Sequence, residues 1–154
     1  MRKISKEASL VQRLTQEGGV VEICVESTTL QDWRAVISGL RASGYLMKYS
    51  LDGEQAVLDL SEDTFGKSFD SVHSLEVYVG SQVWVTDFVE VSLIDFQCSP
   101  RLISNHAEIQ HMSQFMRTIA ASVHKVVVCA PESVHPGKGI PYAWVDEDGV
   151  FTVR

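Results

Sequence analysis

His106, Glu108 and His111 stand within one heptad, NHAEIQH, and two histidines flanking a carboxylate are the ingredients of a zinc-peptidase helix. That chemistry needs the histidines at i and i+4, about 40° apart around the axis, so that both reach one ion while the glutamate works as base. Here the interval is five residues, which at about 100° per residue separates the rings by about 140°. One helix cannot aim both at a single metal. Asn105 and Glu108 instead have the spacing of an N-cap and its partner, so the stretch reads as a helix opening.

Other reactive groupings fall short in the same way. TFGKS, residues 64 to 68, resembles the tail of a phosphate-binding loop, but the pattern needs glycine where Ser61 stands, and Asp59, Glu62 and Asp63 would repel a triphosphate. His135-Pro136-Gly137-Lys138-Gly139 offers a ring and an amine on a loop, with no nucleophile or orienting acid beside it. Asp146, Glu147 and Asp148 crowd a hairpin tip without the alternating acids of a calcium loop. Cys24, Cys98 and Cys129 share no CxxC spacing and lie in or at the end of apolar runs, as packed, reduced thiols do. No catalytic constellation, metal site or cofactor is expected.

Charge is the more informative property. Between Ala42 and Pro100 two basic residues, Lys48 and Lys67, face ten acids, a local charge of -8 beside -7 for the whole chain. The acids are Asp52, Glu54, Asp59, Glu62, Asp63, Asp70, Glu76, Asp87, Glu90 and Asp95. Such a segment is ill suited to phosphate backbones and suited to a cationic partner; the plain alternative is a solvated face that keeps a sheet from associating.

These side chains need elements to carry them. ISKEASLVQRLTQEGG places Ile4, Ala8, Val11 and Leu14 near one side of a short N-terminal helix, with Gly18 as its left-handed stop, and VVEICVE alternates as a strand with one wet face. TTLQDWRAVISGLRASG sets Leu30, Trp33, Ile37 and Leu40 at helical spacing, capped by Thr29 with Asp32 and ended by Gly44. YLMKYSL and EQAVLDL flank Asp52-Gly53 and should pair as a hairpin. LEVYV and VWVTDFVEVSLIDFQC continue as strands, with a bulge or break near Thr86. Asn105 to Lys125 forms a helix with Ile109, Met112, Met116, Ile119 and Val123 inward. KVVVCA is a buried strand, and YAWV and VFTV close the chain as a hairpin.

At 154 residues, 45% of them hydrophobic, one domain over 1–154 is expected. Its class is α+β: a mostly antiparallel sheet of about six to eight strands, with two main helices on one face and a short N-terminal helix. No run is long and apolar enough to span a membrane, and charges interrupt the N-terminal MRKISKEASLVQRL, so the cytoplasm is the expected compartment. Burial is expected for Trp33, Trp84 and Trp144, and an exposed Trp84 would be an interface anchor.

In size, acidity and strand-rich pattern the whole chain resembles the small acidic immunity proteins of bacterial toxin systems. That resemblance implies a non-enzymatic inhibitor that neutralises a cognate toxin, such as a nuclease, in the cytoplasm. Its partner would be a basic protein, without direct contact to nucleic acid or membrane. The contact set would be Asp52, Glu54, Asp59, Glu62, Asp63, Asp70, Trp84, Asp87 and Glu90, the acids steering association and the aromatic supplying desolvated affinity. The competing expectation is a small-molecule sensing or accessory domain, with Met112, Phe115 and Met116 lining a cleft between sheet and helix.

Overall fold

The computed structural model describes residues 5–16, 18–65, 72–132 and 140–154. Asp70, residues 66–68 of the TFGKS stretch and the loop from His135 to Gly139 lie outside them.

Each helix begins where its sequence supplies an oxygen for the first free amides. α1 (Lys6–Thr15) starts at Ser5, whose hydroxyl accepts from the Ala8 amide at 3.1 Å, and it buries Leu10 and Leu14. It ends at Gln16 in the right-handed region, before the stop expected at Gly18, which has no positive φ. α2 (Leu30–Ala42) carries the full capping box of Thr29 and Asp32, and Gly44 at φ 84° releases the chain, with the Tyr45 amide on the Leu40 carbonyl. α3 (His106–Val123) is capped by Asn105, whose side chain accepts from Glu108 N at 3.0 Å, and it turns out through His124 at φ 55°.

Among the described residues nine strands form one antiparallel sheet, one more than the six to eight expected, because the run VWVTDFVEVSLIDFQC supplies two. They are β1 (Val21–Glu26), β2 (Leu46–Leu51), β3 (Glu54–Gln55), β4 (His73–Val79), β5 (Gln82–Thr86), β6 (Leu93–Cys98), β7 (Val127–Pro131), β8 (Ala143–Val145) and β9 (Phe151–Val153). Their order across the sheet is β3-β2-β4-β5-β6-β1-β7-β8-β9. Asp52 and Gly53, at φ 52° and 84°, make the two-residue turn between β2 and β3. The rest of EQAVLDL leaves the ladder after Ala56. Leu58 and Leu60 pack inward, and Arg34 of α2 holds the Leu60 carbonyl through two donors at 3.2 and 2.9 Å. The long run VWVTDFVEVSLIDFQC resolves into two strands broken after Thr86.

All three helices pack on one face. That face receives Val21, Ile23 and Val25 of β1, Leu75, Val77 and Val79 of β4, Trp84 of β5 and Ile94 and Phe96 of β6, with Val127, Cys129, Ala143 and Val145 beyond. Phe115 of α3 fills the middle, its ring 5.8 Å from Trp84 and 5.5 Å from Phe96. Glu108 ties the layers together: buried at the start of α3, it accepts from the Ser81 amide and from the Gln82 side chain at 2.9 Å. Gln82 in turn accepts from the Trp84 indole at 2.9 Å, so the acid is satisfied inside the protein. Burial pushes the Glu108 carboxyl up, but the Gln82 and Ser81 donors and the neighbouring His111 outweigh it and hold it below the ordinary range.

Candidate partner-binding surface

The β2-β3 turn follows Leu51, which pairs with His73, and the β5-β6 loop follows Thr86, which pairs with Leu75 two residues along β4. Both connections therefore emerge at the same end of the sheet. Asp52 and Glu54 are exposed on the first, Asp87 and Glu90 on the second. Asp52 also accepts from the Val72 amide at 2.8 Å, which pins the turn to the start of β4.

Phe88 decides how the second connection is presented. Its backbone sits at φ 52°, a conformation a bulky residue adopts only at a cost, and its ring is buried 5.3 Å from Trp33 and 5.9 Å from Phe65. Burying that ring offsets the backbone strain. With Phe88 turned in, Asp87, Val89 and Glu90 are turned out. Phe65 enters the same aromatic cluster and anchors the 3-10 turn Glu62–Thr64, whose Glu62 and Asp63 are exposed beside this end.

Exposed valines are spread along the same end of the sheet, two of them at the connections that carry these acids. Val72 (65% exposed) precedes β4, Val89 (61%) lies on the β5-β6 loop, Val126 precedes β7, and Val150 follows the Asp146-Asp148 turn. All four belong to the same end of the sheet, by the antiparallel registers that join them. Apolar side chains ringed by charge are the composition of a docking rim, whereas isolated exposed valines carry no such meaning.

Two members of the expected contact set stand apart. Trp84 is 0% exposed on the helix-covered face, and its ring is closed to a partner in this conformation. The single phase VWV leaves its direction open; packing against Phe115 decides it. Asp59 is exposed but faces α2, in a cleft of about 220 Å³ that Arg34, Ser38 and Arg41 also line, so arginines stand beside it. Met112, Phe115 and Met116 are likewise fully buried and occupy the space between helix and sheet.

Two acids outside the expected set join the surface. Glu22 and Asp95 project from the helix-free face of β1 and β6, where Asp95 pairs across the ladder with Cys24 and Glu22 with Gln97. Glu22 accepts from the Gln97 amide at 2.8 Å. Burial in the sheet, then the charges of Glu22, Asp87 and Glu90, push the Asp95 carboxyl up to about 6. The same setting drives the Cys24 thiol up, by burial first and then by Glu22 and Asp95. The signal for Glu22 was the alternation of VEICVE; that Asp95 lies beside it is a fact of strand order, since 73 residues separate them.

One described lysine of the 42–100 segment faces these acids: Lys48 stands across the ladder from Glu76, its Nζ 5.5 Å from the Tyr78 ring. Among the described residues the ion pairs are His106 with Glu7 at 2.7 Å and Lys125 with Asp32 at 3.0 Å, and neither includes an acid of the 52–95 segment. His106 and His111 are both exposed, His106 turned toward α1 through that ion pair. No helix among the described residues is long and apolar enough to cross a membrane. Comparison of the chain with protein-family models, with curated proteins and with solved structures finds no match.

Proposed function

We propose that this chain is a protein-binding inhibitor of the immunity type, which captures a basic partner, such as a nuclease toxin, on its acidic surface in the bacterial cytoplasm. The observation that carries the reading is the convergence of Asp52, Glu54, Asp87 and Glu90 at one end of the sheet, with Glu62 and Asp63 beside them, none of these six acids in an ion pair among the described residues. An isolated carboxylate cluster repels itself, and a lysine- or arginine-rich surface relieves that repulsion on docking. The lysines and arginines that hold nucleic acid in a nuclease are such a surface, so inhibition would follow from covering them, with no chemistry required. The four valines at the same end supply the apolar contacts that charge alone does not.

The test is co-expression with the product of the adjacent gene, followed by association kinetics of the purified pair at 50 and 500 mM salt. The reading expects protection from that product's toxicity and an association rate that falls at least tenfold at the higher salt. Absence of a complex, or a rate indifferent to salt, overturns it.

A further inference from the structure

The sheet has a second face, and no described element packs on it. The alternation that sends Trp84 and Ile94 to the helices sends Val83, Val85, Leu93, Val128, Ala130 and Trp144 the other way. None of these six belongs to the buried core or to the apolar residues packed against it. All six are half-buried. Antiparallel sheets with one free face normally make that face polar. This one is mixed: the ladder aligns Asp95, Cys24, Val128, Trp144 and Thr152 in one row, and Lys48, Glu76, Val85, Gln97, Glu22 and Ala130 in the next.

We infer that the helix-free face is the floor on which a basic polypeptide docks, with Glu22 and Asp95 receiving its arginine or lysine and Val85, Val128 and Trp144 its apolar flank. This rests on the proposed function and places the partner's centre on the face, with the sheet end as its rim.

Three considerations select that occupant. Charge comes first: Glu22, Asp87 and Glu90 all bear on Asp95, beside the Cys24 thiol and the neutral Gln97, and none of the four acids is in an ion pair among the described residues, the nearest lysine of the face, Lys48, standing across from Glu76. A second copy of the chain would bring the same acids against themselves, and a nucleic acid would add phosphates to them. Area comes second. Seven strands at about 4.8 Å and some five residues each at about 3.3 Å give roughly 550 Å², below the ~800 Å² per partner of a standard interface. The rim of exposed acids and valines supplies the remainder. Shape comes third, since half-buried side chains spread over several adjacent strands suit the extended contact of a polypeptide surface.

The test titrates ¹⁵N-labelled protein at pH 7.5 with an 18-residue amphipathic Arg/Leu peptide, and in parallel with its Glu/Leu counterpart. The expected result is binding of the Arg/Leu peptide alone, amide shifts confined to β5, β6, β1, β7 and β8, and a blue-shifted Trp144 emission. The E22Q/D95N variant should bind at least tenfold more weakly, and V85K should do the same by setting a cation beside Glu76 among the apolar side chains of the floor. Wild-type affinity should rise with pH through about 6, as the Asp95 proton is displaced by the cation. Shifts confined to Asp52, Glu54, Asp87 and Glu90 would overturn the face while leaving the basic-partner reading standing. Shifts on α2 or α3, equal binding of the acidic peptide, or no binding at all would overturn both.

Discussion

Asp95→Asn should stabilise this protein at neutral pH and do nothing at pH 4. The carboxyl is raised from 3.8 to about 6, burial leading and the charges of Glu22, Asp87 and Glu90 following. In a dry interior a displacement of that size corresponds to about 3 kcal/mol. Asp95 is only half-buried, and solvent screening brings the figure to between about 1 and 2 kcal/mol. The sign follows from linkage. Between about pH 4 and 6 the folded state holds a proton on Asp95 that the unfolded chain has released, so the stabilisation is complete below pH 4 and lost as pH rises through 6. Asparagine keeps the shape and removes the charge, so the gain over wild type should be absent at pH 4 and reach its full ~1–2 kcal/mol by pH 7.5, or about 3–6 °C in Tm for a chain of this length. Urea unfolding of both proteins at the two pH values measures it. A destabilised variant, or an equal difference at both pH values, would refute the claim that uncompensated carboxylates surround this residue.

Glu108→Ala should cost about 2–3 kcal/mol in urea unfolding, because it takes the acceptor from the Ser81 amide and one of two acceptors from the Gln82 side chain, which keeps the Glu108 carbonyl at 2.7 Å. Since Glu108 is held below its ordinary range, its contribution should be present above about pH 4.5 and fade as pH falls below it, which the wild type should show and the variant should not. Phe88→Ala should cost about 3–4 kcal/mol and, by releasing the β5-β6 loop, weaken partner binding as well, measured by unfolding and by titration of a captured partner. Gly80→Ala should lower stability by about 1–3 kcal/mol in thermal unfolding, since its φ is 58° and an added Cβ would meet the His111 ring at 2.6 Å. Acrylamide should quench one of the three tryptophans; Trp144→Phe should abolish that fraction, Trp33 and Trp84 being fully buried.

The parts of the fold that depend on neighbours a few residues apart were legible beforehand. The caps at Thr29 and Asn105, the Asp52-Gly53 turn and the inward stripe of α3 are all local, and the structure has them. EQAVLDL misled because its alternation is that of a strand, while tertiary packing of Leu58 and Leu60 and the grip of Arg34 on the Leu60 carbonyl draw it out of the ladder. Gly18 misled because a right-handed residue at Gln16 was enough to end α1. The acidic segment showed its charge but not its arrangement. Placing Asp87 beside Asp95 needed the inward plug of Phe88, and bringing Glu22 to them needed β1 to lie between β6 and β7, a crossover that no periodicity encodes. Trp84 and Val85 differ by one position and face opposite ways, and only register settles which one water sees.

A sheet clad on one side is half of a sandwich, and half-sandwiches tend to find their other half in a copy of themselves. Here Glu22, Glu76 and Asp95 stand guard over the bare layer, while β3 and β9 leave edges only two and three residues long. The guard is electrical, and acid dismisses it. As the medium approaches pH 5 Asp95, its carboxyl raised to about 6, falls neutral and the guard over the valines and Trp144 around it weakens, so mild acidification should raise turbidity on the same surface that is charged at neutrality.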